Sequence, residues 1–168
     1  MRGERTRRLE RPLSVVLRCL CHSTYWSPAV NDKASPVPNL QGVTVLLIDD
    51  DTDGRETVQR VLQCNRAEVV ACASAKEALE VLETRIPTII VCDLAMPDID
   101  GLAFLAECRL REERRGIRYV PALALTGLDA AANMKHAARA GFQIYLQKPI
   151  EPEAFLRSVA SLAFENPR

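Results

Sequence analysis

Acidic, hydroxyl and basic residues follow four apolar stretches of the sequence. Three aspartates at positions 49–51 follow one stretch, Asp93 follows another, and Thr126 and Lys148 follow two more. Carboxylates that crowd into a small volume repel one another and raise each other's pKa, and a divalent cation relieves that repulsion. Mg²⁺ prefers oxygen ligands, and an aspartate can act as a nucleophile on phosphorus. These residue types therefore suggest phosphoryl chemistry at an oxygen-rich cation site, provided that the fold brings them together.

The apolar stretches have the pattern of strands that are buried on both faces, and they alternate with segments of helical periodicity. Ser74 and Glu77 form a capping box at the start of one predicted helix. The predicted strands cover residues 43–48, 68–73, 88–92, 119–125 and 142–146. The predicted helices cover residues 53–64, 75–82, 102–114, 130–140 and 152–164.

This alternation predicts an α/β fold in which a five-stranded parallel sheet carries helices on both faces. The crossovers between its strands should be right-handed. In such sheets, ligands bind outside the carboxyl ends of the strands. The polar residues that follow the strands are therefore expected to meet at one rim of the sheet.

Four sequence blocks, taken in order, resemble the signature blocks of the receiver domains of bacterial two-component systems. The blocks are LLIDDD (46–51), VCDLAMPDIDG (91–101), ALTG (124–127) and QKPIEP (147–152). The resemblance covers about residues 42–163. It is to chemotaxis-regulator-like receivers, and the pattern most resembles the receiver domains of hybrid sensor histidine kinases. It implies a flavodoxin-like, doubly wound (βα)₅ fold with strand order 2-1-3-4-5.

The resemblance implies chemical roles for five residues of this chain. Asp93 would be the phosphoacceptor. Asp49 and Asp50 would bind Mg²⁺ or Mn²⁺, and Asp93 and the backbone carbonyl of Ala95 would complete the protein's metal ligands. Lys148 would pair with the oxygens of the phosphoryl group, so that one metal site and one reactive carboxylate share the rim.

Two further residues match the positions through which receiver domains change conformation. Thr126 would be the switch hydroxyl that moves toward the phosphoryl group. Tyr145 would be the switch aromatic, whose ring turns inward when Thr126 moves, although an ordinary core role for Tyr145 stays open. The Lys148–Pro149 peptide would be cis.

A receiver domain of this kind implies a signalling switch rather than an enzyme, with only slow phosphorylation and dephosphorylation of its own. A histidine kinase or a histidine phosphotransfer protein would donate the phosphoryl group. The output would be partner binding, or a homodimer formed through the fourth helix, fifth strand and fifth helix. We expect a cytoplasmic protein without a membrane span, whose receiver domain itself binds no nucleic acid.

Three other functions fit the pattern less well. An aspartate-nucleophile phosphohydrolase would carry a second aspartate two residues after the nucleophile, where this chain has Ala95. A degenerate receiver would have lost a site residue, and none is lost. A flavin-binding module of the same fold class would not need carboxylates and an amine at the strand ends.

Other aspartates near the rim have simpler interpretations. Asp51 and Asp53 are expected to cap the helix that follows them. Asp98 and Asp100 lie in a Pro-Gly loop, where turn formation and helix capping account for them. The turn CNRAEV at residues 64–69 departs from the receiver pattern because it lacks the usual glycine.

The charge of the chain divides at the start of the predicted receiver domain, which we place at residues 42–165. Lysine plus arginine and aspartate plus glutamate are equal at 22 each, but residues 1–40 hold seven basic and three acidic residues. With its prolines, the segment 1–41 is predicted to be a disordered arm. An upstream translation artefact, a remnant of a larger protein, and a nucleic-acid or membrane contact remain alternatives for it.

Six cysteines are present, and four lie in apolar, periodic segments, as buried structural thiols do. We interpret them as reduced and structural. The segment Cys19–His22 lacks the ligand spacing of a zinc site, and no second ligand pair follows it.

Overall fold

The computed structural model describes residues 37–127 and 136–164. Five parallel strands form one sheet in the order β2-β1-β3-β4-β5. The strands are β1 (Thr44–Ile48), β2 (Glu68–Cys72), β3 (Ile89–Asp93), β4 (Ala122–Thr126) and β5 (Ile144–Gln147). The helices are α1 (Thr52–Cys64), α2 (Ala75–Thr84), α3 (Gly101–Arg115), α4 (described for residues 136–140) and α5 (Pro152–Phe164). The predicted fold class and strand order are confirmed.

The sheet has a separate apolar core on each face. Because alternate residues of a strand point to opposite faces, Leu46 and Ile48 of β1 join one core, while Val45 and Leu47 join the other. Helices α2, α3 and α4 cover the first core, and α1 and α5 cover the second. The central strands β3 and β4 are buried along their whole length. They therefore hold the polar residues at their ends in fixed positions.

Side chains cap the helices that begin at the rim. The Asp51 carboxylate accepts a hydrogen bond from the Gly54 N–H at 2.9 Å, and Asp100 accepts one from Ala103 at 2.7 Å. Capping by Asp51 and Asp100 is therefore confirmed, whereas Asp53 lies inside the first turn of α1. None of the described helices is long and apolar enough to cross a membrane.

The capping box of α2 differs in one bond from its predicted form. Ser74 accepts a hydrogen bond from the Glu77 N–H at 3.2 Å, as predicted. The Glu77 carboxylate, however, accepts from the N–H of Ala73 at 2.8 Å. The reciprocal bond thus reaches one residue further back than the Ser74 N–H that the motif predicts.

Arginines of α3 satisfy the carbonyls at the end of α2. Arg115 donates to the carbonyl oxygens of Leu82 and Glu83 at 2.9 and 3.0 Å, and Arg111 donates to that of Leu79 at 3.3 Å. The last carbonyls of a helix have no partner within it. The two bonds from Arg115 therefore satisfy terminal carbonyls, and all three bonds join α2 to α3.

The fourth strand begins later than predicted. The sequence pattern placed its start at Tyr119, but β4 begins at Ala122. Pro121 has no N–H to donate, and the N–H of Val120 donates to the side chain of Glu112 at 2.9 Å instead of to a neighbouring strand. Residues 119–121 therefore belong to the loop between α3 and β4.

The prediction that four cysteines are buried is correct for three. Cys72, Cys92 and Cys108 are buried, and burial raises the pKa of the Cys72 and Cys108 thiols to about 12. A thiol with so high a pKa is inert at neutral pH. Cys64 is exposed, so the prediction is wrong there. It lies two residues after the buried Leu62 and hence on the opposite side of α1.

Several predictions concern residues outside the described ranges. They are those for residues 1–36, which form most of the predicted arm, for residues 130–135 of the predicted fourth helix, and for the predicted end of the domain at residue 165. Leu40 lies before the predicted domain start at residue 42, yet its side chain is fully buried. Its N–H donates to the carbonyl of Asn65 at 2.8 Å, so the packed structure includes this residue.

Candidate functional site

The polar residues singled out by their sequence positions meet at the carboxyl ends of the strands. Asp49 directly follows β1, Asp93 and Thr126 are the last residues of β3 and β4, and Lys148 follows β5. Strands β1, β3, β4 and β5 are consecutive neighbours in the sheet, so their ends lie side by side. The parallel arrangement therefore creates the predicted rim.

Lys148 joins two buried carboxylates. Its Nζ atom lies 2.8 Å from Asp49 Oδ2 and 2.5 Å from Asp93 Oδ2. Asp49 is fully buried and Asp93 is 6% exposed. A buried carboxylate is stable only with a partner, and one ammonium here serves both. The Lys148–Pro149 peptide that carries this lysine is cis, as expected from the resemblance.

The third carboxylate of the group faces solvent. Asp50 is exposed, and one ligand oxygen from each of Asp49, Asp50 and Asp93 lies within 4.8 Å of the others. Three carboxylate oxygens at one point form the hard donor set that Mg²⁺ or Mn²⁺ prefers. The residues present therefore fit a divalent cation that solvent can reach from the side of Asp50.

Backbone hydrogen bonds orient the two buried carboxylates. Asp49 Oδ1 accepts from the N–H of Asp51 at 3.0 Å, and Asp93 Oδ1 accepts from the N–H of Ala95 at 3.0 Å. Each carboxylate thus has one oxygen on the main chain and the other on Lys148. The metal-ligand role of the Ala95 carbonyl stays a prediction.

Burial and the neighbouring charges shift the pKa values of Asp49 and Lys148. Burial raises the pKa of Asp49, although the hydrogen bond and charge of Lys148 lower it in part. Burial lowers the pKa of Lys148, but Asp49 and Asp93 outweigh that effect and raise it overall. Lys148 is therefore protonated at neutral pH, and the buried position of Asp49 disfavours its negative charge.

Thr126 lies at the rim, whereas Tyr145 lies away from it. Thr126 is buried and donates through Oγ1 to the Gly127 carbonyl at 3.3 Å. The N–H of Lys148 donates to the Thr126 carbonyl at 2.7 Å, which ties the end of β5 to the end of β4. Tyr145 is half-buried, and its hydroxyl donates to the Phe142 carbonyl at 2.6 Å. The structure therefore brings Thr126, but not Tyr145, to the carboxylates.

Two residues that support the site were not predicted from the sequence. Arg55 donates through Nη1 to the carbonyl of Asp49 at 2.7 Å. Gly101 begins α3 so close to the Asp93 carbonyl that no Cβ would fit between them. The glycine stood in a recognised block without an assigned role, and only the three-dimensional approach of α3 to β3 explains it. For Arg55 the sequence contains no comparable signal.

A known protein family matches most of the chain. The sequence pattern of the response regulator receiver domain matches residues 45–160. The chain belongs to this family. Receiver domains are components of two-component signalling, where they act as switches rather than as typical enzymes. The recognition made from the four sequence blocks is confirmed.

Curated relatives span the receiver domain. The "Uncharacterized 14.6 kDa protein in sodA1 3'region" of Leptolyngbya boryana is 38% identical over 120 residues, which are 71% of this chain and 89% of that protein. Response regulator Rre1 of Synechocystis is 31% identical over 121 residues, which are 71% of this chain but 51% of that protein. The chain thus spans about half the length of that response regulator.

Solved receiver structures share the fold. The Francisella response regulator 1452 receiver domain is 26% identical and has a TM-score of 0.65, covering 74% of this chain and 98% of that one. Chemotaxis protein CheY4 of Vibrio cholerae is 27% identical with a TM-score of 0.66, covering 71% of this chain and 98% of that one.

Proposed function

We propose that this receiver domain takes a phosphoryl group on Asp93 from a histidine kinase or a histidine phosphotransfer protein. The observation that carries the proposal is the bridge from Lys148 to both Asp49 and Asp93, with Asp50 beside them. One cation thus already contacts the carboxylate that would react. Ala95 stands where a phosphohydrolase would need its acid–base aspartate, which favours a stable phosphoryl group over a turnover enzyme.

In the proposed reaction a carboxylate oxygen of Asp93 attacks phosphorus, and an O–P bond forms. The N–P bond of the donor phosphohistidine breaks, and its electron pair returns to the imidazole nitrogen, which then takes a proton. Lys148 leaves its bond to Asp93 and pairs with a phosphoryl oxygen, while its bond to Asp49 keeps the amine in place. A carboxylate that attacks phosphorus gives up no proton in the step, so the step needs no general base.

Asp49, Asp50 and Asp93 would hold a Mg²⁺ or Mn²⁺ ion, with the Ala95 carbonyl as a further ligand. Such an ion neutralises charge that develops on the transferred group. Asp49 suits this role because its buried position disfavours an uncompensated negative charge. The cation would therefore offset a negative charge that the buried position of Asp49 disfavours.

After transfer, Thr126 would move toward the phosphoryl oxygens and Tyr145 would turn inward. This change would alter the face formed by α4, β5 and α5, where a partner or a second copy docks. Phosphorylation would then act by shifting a two-state equilibrium. We further propose a cytoplasmic location, which is where a histidine kinase would reach it.

Phosphorylation on Asp93 can be tested by intact mass. The protein is incubated with acetyl phosphate and Mg²⁺, and we expect the mass of one added phosphoryl group. This adduct should not form when EDTA replaces the metal. Asp93→Asn should remove the adduct because it removes the nucleophile. Asp98→Asn, in the loop that follows Asp93, is the matched control and should keep the adduct, since Asn also tolerates the positive φ of 65° at that position.

Different results would contradict the phosphoacceptor role and the metal site. No adduct on the wild-type chain, or an equal adduct on Asp93→Asn, would contradict the phosphoacceptor role. An adduct that forms equally well in EDTA would contradict the metal site alone.

A further inference from the structure

One buried carboxylate lies outside the site. Among the residues that the structure describes, the buried polar or charged ones are Asp49, Asp93, Thr126 and Glu112. The first three form the rim, but Glu112 lies on α3, near the opposite end of the sheet. Burying a carboxylate is costly unless it is paired and hydrogen-bonded. The partners of Glu112 therefore indicate what its burial achieves.

Both oxygens of Glu112 are in use. Oε2 lies 2.7 Å from Nη1 of Arg109, one turn earlier on α3. Oε1 accepts from the N–H of Val120 at 2.9 Å, just before β4. The two charged side chains are only 12% and 7% exposed, so solvent screens them little. Glu112 thus fixes the Arg109 guanidinium and the entry to β4 together.

The other side of the Arg109 guanidinium holds the turn between α4 and β5. Nη2 donates to the Gly141 carbonyl at 3.2 Å. Gly141 has φ +100°, a conformation that favours glycine, and a Cβ there would lie 3.1 Å from Arg109 Nε. The Tyr119 ring covers the guanidinium, with Cζ 5.2 Å from the ring centroid. The absence of a side chain at Gly141 therefore lets the Arg109 side chain lie against this turn.

The same turn provides the hydrogen-bond acceptor of Tyr145. The Tyr145 hydroxyl donates to the carbonyl of Phe142, the residue after Gly141, at 2.6 Å. Its ring also packs edge-on against the Phe142 ring, with centroids 6.4 Å apart. Arg109 and Tyr145 therefore bind the carbonyls of two consecutive residues.

We infer that the buried Arg109–Glu112 pair is a positioning device for Tyr145: by anchoring the Gly141 carbonyl it fixes the acceptor that holds the tyrosine ring in its observed orientation. The inference rests on the proposed function, in which Tyr145 is the switch aromatic. Two orientations of one ring are the two-state element that such a coupling requires. Loosening the turn weakens the hydroxyl bond and favours the other orientation.

The double variant Arg109→Met, Glu112→Gln tests this coupling without leaving a buried charge unpaired. The amide oxygen of the introduced glutamine can still accept from the Val120 N–H, so the fold should persist. The ring is observed by ¹⁹F NMR of 3-fluorotyrosine-labelled protein, with signals assigned by Tyr→Phe substitutions. We expect the Tyr145 signal to shift toward the value that a beryllofluoride complex gives, with the ring equilibrium changed about fivefold, as for loss of one hydrogen bond.

Arg111→Met is the matched control. Arg111 is the next arginine along α3, but it bonds to Glu83, Glu107 and α2. The Tyr145 signal should stay in place in this variant. Should the double variant not fold, Arg109→Lys replaces it, because a single ammonium lacks the fork that reaches Glu112 and Gly141 together. An unmoved Tyr145 signal in a folded Arg109 variant overturns the inference.

Phosphorylation rates provide a second readout. With acetyl phosphate, the Arg109→Met, Glu112→Gln change should alter the initial rate in the wild-type background but not in Tyr145→Phe, which already lacks the hydroxyl. Equal effects in both backgrounds would show a merely structural role and overturn the inference. If the wild-type chain takes no phosphoryl group, the proposed function fails, while the NMR measurement still decides whether Arg109 positions Tyr145.

Discussion

Asp49 is a buried carboxylate whose charged partner, the Lys148 amine, is shared with Asp93. Burial raises its pKa above the ordinary value of 3.8, so the folded protein holds this proton more tightly than the unfolded chain does. The free energy of unfolding must then fall as pH rises through the interval between the two pKa values. Above that interval the ionised group costs stability, and a cation can recover it.

Asp49→Asn should therefore stabilise the metal-free protein at pH 7, because it removes a disfavoured charge. The advantage over wild type should shrink as pH is lowered toward 3.8, where Asp49 itself becomes neutral. Saturating Mg²⁺ should reverse the order, since only the wild type binds it well. Urea unfolding across this pH range measures these differences. Asp98→Asn is the control, and a wild type that remains the more stable protein at pH 7 without metal would refute the expectation.

The direction in which Arg55→Met changes Mg²⁺ affinity tests whether Arg55 acts through its charge or through its hydrogen bond. If its guanidinium acted only as a charge near the carboxylates, Arg55→Met would tighten Mg²⁺ binding. Because it bonds the Asp49 carbonyl, we expect the opposite, a loss of about fivefold in affinity, as for one hydrogen bond. Titration calorimetry measures the affinity. Arg60→Met, on the exposed side of the same helix, should leave it unchanged, and tighter binding in Arg55→Met would disprove a positioning role.

Among the elements, the strand pattern was the most predictable part of the fold and the side-chain bonds between elements the least. Apolar runs located all five strands, and the order of the polar residues after them located the site. Asp49, Asp93 and Lys148 could be grouped because parallel strands end at one rim. Arg55, Gly101 and the Arg109–Glu112 pair could not, because their roles depend on how far one helix approaches another element.

The turn before β2 lacks the glycine that is usual in receiver domains, yet its backbone keeps a conformation that favours glycine. Arg66 stands there with φ 69°, in a region that costs a non-glycine residue about 1–2 kcal/mol. We expect Arg66→Gly to raise the free energy of unfolding by about 0.5–1 kcal/mol, part of the gain being offset by glycine's greater freedom when unfolded. Urea unfolding checks this. Arg60→Gly, inside α1, should instead lower stability by about 1 kcal/mol, and a destabilised Arg66→Gly would contradict the argument.

In the whole molecule, the face formed by α4, β5 and α5 is where we expect the proposed switch to reach other proteins. The strand order makes β5 an edge strand, and its residues Ile144–Leu146 are only half-buried. We expect beryllofluoride with Mg²⁺ to convert monomers to dimers through the α4–β5–α5 face, as measured by light scattering after size exclusion. Asp93→Asn should not respond. An unchanged mass would argue against dimerisation as the output and favour a different partner on this face.

The main-chain bond between Lys148 and Thr126 has a mechanical consequence. These residues would sense the phosphoryl group through an ammonium and a hydroxyl, yet the N–H of one donates to the carbonyl of the other at 2.7 Å. A displacement of either strand end must therefore move both. Thr126 and Lys148 would therefore respond to the phosphoryl group as one coupled unit and not independently. A substitution of the Thr126 or Lys148 side chain would change which group is detected but would leave the main-chain bond intact. The sensitivity of the domain could therefore change while the coupled movement of the two strand ends is kept.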